Sequence, residues 1–116
     1  MSEDIACVEL DVLWPDGRRV RATVAVGQPY HDDQWRAWRC PVRLDGLVPH
    51  LPDIGGEDSL QALLLALRVA HQQLAQAEAN GAKLLNAAEE PGRESGFDLR
   101  SYFGGLGTSS TGPLAE

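Results

Sequence analysis

Cysteine is scarce in this chain, Cys7 and Cys40 being the only two in 116 residues. They fall on separate predicted strands and point to opposite faces, which argues against a bridge between them and against a disulfide-stapled framework. Both are expected as reduced thiols. Long hydrophobic runs are missing too. The longest, Ala62 to Ala70, is broken by Arg68, whereas a helix crossing a bilayer needs roughly 20 apolar residues. Glu3 and Asp4 stand where a secretory leader would carry basic residues ahead of a continuous apolar stretch, so a cytoplasmic location is expected. Positive charge is also short. Ten Lys and Arg face 17 Asp and Glu, a formal charge of -7, which disfavours nucleic acid and anionic membrane as partners and favours a basic protein surface.

What remains is ordinary for one globular domain: 43% hydrophobic and 23% charged residues. Ala6, Val8, Leu10, Val12 and Trp14 alternate with Cys7, Glu9, Asp11 and Leu13, the period of two of a half-buried strand. Pro15-Asp16-Gly17 has the residue types of a three-residue hairpin loop, with Gly in the left-handed position. A second alternation, Val20, Ala22, Val24 and Val26, follows. Folding about Asp16 sets Val12 opposite Val20, Leu10 opposite Ala22 and Val8 opposite Val24 inside, and Asp11 opposite Arg21 outside. A third strand is predicted through Trp38, Cys40, Val42 and Leu44, with Pro41 marking an edge or an unpaired side. Leu47 to Ile54 is a candidate fourth strand made irregular by Pro49 and Pro52.

Asp58 followed by Gln61 resembles a capping box and starts a helix. Leu60, Leu63, Leu67, Ala70, Leu74 and Ala77 recur at spacings of three and four and predict its core face. Gly81 ends it. Leu64, Leu65, Ala62 and Val69 widen the apolar surface beyond what one sheet needs to cover. The segment from Glu89 to Ser95 is polar, Phe97, Leu99, Tyr102 and Phe103 dock back, and the Gly/Ser/Thr-rich stretch from Gly104 reads as a flexible tail. The expected fold is α+β: a three- to four-stranded antiparallel sheet packed against one long amphipathic helix. The expected organisation is a single domain over 1–103 and a C-terminal tail over 104–116.

Chemistry is sparse. His31, Asp32 and Asp33 are metal-capable, but consecutive loop side chains seldom converge, and His50 and His71 lie elsewhere, so no metal site and no cofactor are expected. Cys40 has the inward parity of a small buried hydrophobe rather than a nucleophile. Gly104-Gly105-Leu106-Gly107 lacks the flanking strand, the helix and the Lys-Ser or Lys-Thr of a phosphate loop. Arg18, Arg19, Arg21, Arg36, Arg39 and Arg43 gather on the sheet beside Trp35 and Trp38, a pattern compatible with base stacking. Arginines on an exposed strand face more often pair with neighbouring carboxylates.

The Pro-Asp-Gly hairpin, the Trp38–Pro41 segment Trp-Arg-Cys-Pro and the helix start Asp58–Leu63, Asp-Ser-Leu-Gln-Ala-Leu, together resemble a family of small uncharacterised bacterial domains. The resemblance covers roughly Val8 to Leu74. It implies a fold and a bacterial origin, and it carries no catalytic residue.

These features predict a non-catalytic protein-binding module, of an immunity or antitoxin-like kind, with a contact patch at Ala62, Leu65 and Val69. The alternatives are a homodimeric structural protein that uses the same patch, and a small-ligand or enzymatic pocket at the open end of the hairpin, near His31, Asp33, Trp35 and His50.

Overall fold

A computed structural model of the chain describes residues 4–87 and 96–104. Strand β1 (Asp4–Leu13) and strand β2 (Arg19–Gly27) form the expected hairpin. Its register pairs Val12 with Val20, Leu10 with Ala22, Val8 with Val24 and Asp11 with Arg21. The loop closes through the Trp14 amide donating to the Arg18 carbonyl at 2.8 Å, while Gly17 sits at φ +92°, a conformation only glycine adopts without strain.

The single strand expected from Trp38 to Leu44 is two strands. Pro41 lacks the N–H that a continuous ladder needs, and it separates β4 (Ala37–Cys40) from β5 (Val42–Asp45). The two halves enter different sheets. β5 pairs with β2, Val42 opposite Val26 and Leu44 opposite Val24. β4 pairs with the short β3 (Tyr30–Asp32) and with β6 (Ile54–Gly56). The Pro41 carbonyl accepts the Gly27 amide at 2.9 Å, so the corner keeps a backbone bond.

The candidate fourth strand from Leu47 is not formed; regular pairing begins only at Ile54, beyond both prolines. A strand that was not expected, β7 (Lys83–Asn86), pairs antiparallel with β1, Leu84 opposite Val12. The outcome is an α+β fold with two antiparallel sheets, ordered β5-β2-β1-β7 and β3-β4-β6.

Helix α1 (Ser59–Ala79) packs against both sheets. Its start is doubly capped: the Asp58 carboxylate accepts the Gln61 amide at 2.7 Å, and the Gln61 side chain accepts the Glu57 amide at 2.7 Å. Its end is a Schellman turn, in which the Ala82 amide donates to the Ala77 carbonyl and the Gly81 amide to the Glu78 carbonyl. Gly81 at φ +99° also lies against Pro15; a Cβ there would stand 2.7 Å from the proline ring. The hairpin tip and the helix end are thereby locked together.

Leu10, Val12, Ala22 and Leu44 from the sheet, Cys40 from the corner and Ala62, Ala66, Ala70 and Leu74 from α1 are fully buried. The short α2 (Leu99–Phe103) closes one side, anchored by buried Phe97 and Leu99. No helix of the described residues is long and apolar enough to cross a membrane. The expected polar connection (Glu89 to Ser95) and the tail from residue 105 lie outside the described residues.

Candidate functional site

Which side of α1 faces outward is decided by residue size. The buried line is Ala62, Ala66, Ala70, Leu74 and Ala77, a stripe spaced by four residues and then three. Alanines let a helix approach a sheet closely, and the approach is closest at Gly56: a Cβ on that glycine would stand 2.5 Å from the Ala62 nitrogen. Leucines cannot enter so narrow a gap. They are pushed to the flanks, and Leu60 and Leu64 end outside it, 63% and 41% exposed.

This moves the expected contact patch. Ala62 is fully buried beneath Gly56 and is closed to any partner. Leu65 and Val69 are half-buried on the opposite flank from Leu63 and Leu67. The large apolar side chains that α1 presents to solvent are Leu60 and Leu64. Leu60, expected in the core, is excluded because the seam is centred on the alanines.

The alternative pocket fares differently. His31 and Asp33 are brought together, Nδ1 to Oδ1 2.6 Å, on the β3–β4 hairpin. His31 meets the half-buried Trp38 edge-on at 5.5 Å between ring centroids. Trp35 lies at the hairpin tip, 65% exposed, and His50 is exposed in the β5–β6 connection. None of the four lines the hollow at β1, β2 and α2, the one along the outer side of α1 near His71 and Gln76, or the one at the β1–β2 hairpin tip. Their neighbours bind the hairpin together instead. Asp32 accepts the Gln34 amide at 3.0 Å and faces the Arg39 guanidinium at 3.2 Å. The Tyr30 hydroxyl donates to Asp53 at 2.6 Å, a bond that raises the phenol's pKa, with burial adding to the shift.

An apolar hollow of about 100 Å³ does exist on another side of the molecule, between Ala6, Val8, Val24, Val26, Leu67, Tyr102 and Phe103. Cys7, whose thiol is free, also lines it, but no histidine, carboxylate or cationic side chain does, so it lacks the converging polar groups that catalysis requires. Among the described residues, no group of three or more His, Cys, Asp and Glu is placed to hold a metal ion.

The sheet arginines are engaged in ion pairs. Arg19 and Arg21 both bind Asp11, Arg43 binds Asp4 and Asp45, and Arg18 lies near Asp16. Burial pushes the Asp11 carboxyl up, but hydrogen bonds from Arg21 and Arg19 outweigh it, and the net pKa lies below the usual carboxylate value. Cys40 is buried and its thiol is pushed up by desolvation, the reverse of an activated nucleophile.

With this geometry in place, the chain's residues 9–99 match a family model described as a domain of unknown function, DUF6968. The chain belongs to the DUF6968 family. The matched span of this DUF6968 domain runs from within β1 to the first residue of α2, and so contains both sheets' centres and all of α1. No curated protein and no solved structure matched the chain.

Proposed function

We propose that this DUF6968 domain is a non-catalytic protein-binding module of the bacterial cytoplasm whose working surface is the exposed side of α1. The observation that carries the reading is the exposure of Leu60 and Leu64 beside one another, one helical turn apart, on an otherwise well-packed element. Covering what remains exposed of the two leucines, 63% of Leu60 and 41% of Leu64, would contribute roughly 1–2 and roughly 0.6–1.2 kcal/mol. The chemistry found elsewhere supports the same reading. The His31–Asp33 pair stands on an open hairpin, and the apolar hollow at β1, β2 and α2 is lined by Cys7 and Tyr102 but by no carboxylate, cationic side chain or histidine.

A second reading, an immunity or antitoxin-like neutraliser, is favoured by the formal charge of -7, which would steer a basic protein towards the domain.

The test compares the tagged wild type with the double variant Leu60→Asp/Leu64→Asp, each expressed at native level and recovered under mild conditions. The expected result is one protein recovered in stoichiometric amount with the wild type, identified by mass spectrometry, and lost in the double variant, which still melts at the wild-type temperature. Equal recovery by both would show that the α1 surface is not the one used.

A further inference from the structure

Strand β1 is paired by β2 on one side, and on the other β7 meets it only over residues 10–13. The alternation of the ladder tells which backbone groups this leaves open. The Trp14 amide bonds to the carbonyl of Arg18, which stands opposite it at the hairpin end, and hydrogen-bonded pairs recur at every second residue. Ala6, Val8, Leu10 and Val12 therefore turn their N–H and C=O groups towards β2, and Cys7, Glu9, Asp11 and Leu13 turn theirs the other way. β7 stands opposite Asp11 and Leu13. Among the described residues, no strand stands opposite Cys7 or Glu9 on that side.

The regular part of this open edge is residues 6–9, because the register shifts between Asp4 and Ala6. It holds none of the Lys or Pro residues that commonly blunt an edge. On the core side of the sheet it borders the apolar hollow of about 100 Å³, which Ala6 and Val8 line together with Val24, Leu67 and Phe103. An apolar cavity of roughly 150 Å³ holds a benzene ring, so this one suits a single aliphatic side chain. On the outer side, Glu9 lies 3.6 Å from Arg21, whose guanidinium is shared with Asp11. The Glu9 carboxylate can therefore take a second cation.

The geometry points to a β-addition site: an extended segment of another protein pairs antiparallel with residues 6–9, in line with β7, its aliphatic side chain opposite Ala6 entering the hollow and a basic residue standing opposite Glu9. Alternating donors and acceptors at strand spacing are matched by an extended backbone, which fixes the conformation of the occupant. The hollow and Glu9 fix two of its side chains, and the formal charge of -7 favours the same basic residue. This site uses neither Leu60 nor Leu64 and goes beyond the reading of α1 by adding a second surface. Two backbone bonds at each of Cys7 and Glu9, with one side chain buried, place the expected dissociation constant between about 10 µM and 1 mM.

The test titrates the isotopically labelled full chain with the capped peptide acetyl-Lys-Val-Thr-Leu-Lys-amide and follows backbone amides by NMR. Its first Lys falls opposite Glu9, its Thr opposite Cys7 and its Leu opposite Ala6. In the free protein the Cys7 and Glu9 amides should exchange with solvent about ten-fold or more faster than those of Val8 and Leu10, and the peptide should shift and protect them. A peptide N-methylated on Thr, whose N–H faces β1, should bind about ten-fold or more weakly, whereas one N-methylated on Leu, whose N–H faces away, should bind within about two-fold of the parent. Exchanging the peptide's Leu for Asp should also weaken binding about ten-fold, and Glu9→Lys in the protein about three-fold. The Leu60→Asp/Leu64→Asp variant should bind the peptide as the wild type does, so failure of this site and failure of the α1 surface are told apart. Cys7 and Glu9 amides already as protected as their neighbours, equal loss of binding by both N-methylated peptides, or no shift at about 5 mM peptide overturns the site. Shifts of the same amides that grow with protein concentration in the absence of peptide overturn it as well, by placing a second copy on the edge.

Discussion

Gly56 and Ala62 are in such close contact that a methyl group added to the glycine would lie 2.8 Å from the Ala62 α-carbon and 2.5 Å from its nitrogen. The obstacle is backbone, which no rotamer change can relieve. Gly56→Ala is therefore expected to lift the first turns of α1 off β6 and to destabilise the fold by about 1–3 kcal/mol. Urea titration should show a lower midpoint with an unchanged slope. A variant as stable as the wild type would mean that the helix can shift freely, and the outward placement of Leu60 would then lose its cause.

Asp11 is the one charged residue among the described buried set, 5% exposed, and its two oxygens are held by Arg19 and Arg21. Its pKa in the folded chain lies below the usual value of 3.8. The sign follows directly: the unfolded chain takes up the proton first, so the stability contributed by the pairs is fully present above about pH 4–5 and is lost as pH falls through the depressed folded value. Asp11→Asn should cost about 1–3 kcal/mol at pH 7 and flatten the dependence of stability on pH below 4. An unchanged acid limb in the variant would assign that limb to other carboxylates.

The two thiols should differ sharply in reactivity. Cys7 is exposed, whereas Cys40 is buried with its Sγ 3.4 Å from the Gly27 carbonyl and its pKa raised. A thiol reagent at pH 8 should titrate one group within seconds to minutes and the second only in denaturant. Rapid modification of both in the folded protein would contradict the sealed corner at Pro41.

The Asp58 cap is the local device that starts α1. Asp58→Ala should reduce stability by about 1 kcal/mol, and Asp58→Asn by less, as read from thermal melts.

The hairpin register and the capping box were legible in the sequence because each rests on a strictly local rule. Alternation about Asp16 assigned Val12 to Val20, and Asp58 three residues before Gln61 assigned the helix start. The division at Pro41 was half visible: proline announced a missing donor, but that β4 and β5 enter different sheets depends on partners distant in the chain. β7 was missed because four residues, Lys83–Asn86, carry too short a pattern. The core face of α1 was displaced for a different reason. Periodicity weighted by hydrophobicity selects the leucines, whereas the narrow gap at Gly56 selects the alanines, so Leu60, expected in the core, is exposed and Ala62, expected on the widened margin, is buried. Of the contact patch expected at Ala62, Leu65 and Val69, Ala62 is buried for the same reason, while Leu65 and Val69 stay half-buried.

The most direct test of the account is a photo-reactive side chain placed at position 64, compared with the same group at position 36 on the far hairpin. Irradiated in cells, the protein carrying it at 64 should yield one discrete adduct. Position 36 should yield none. Adducts from neither position, or equally from both, would contradict the central claim that α1 presents a specific protein-binding surface through Leu60 and Leu64.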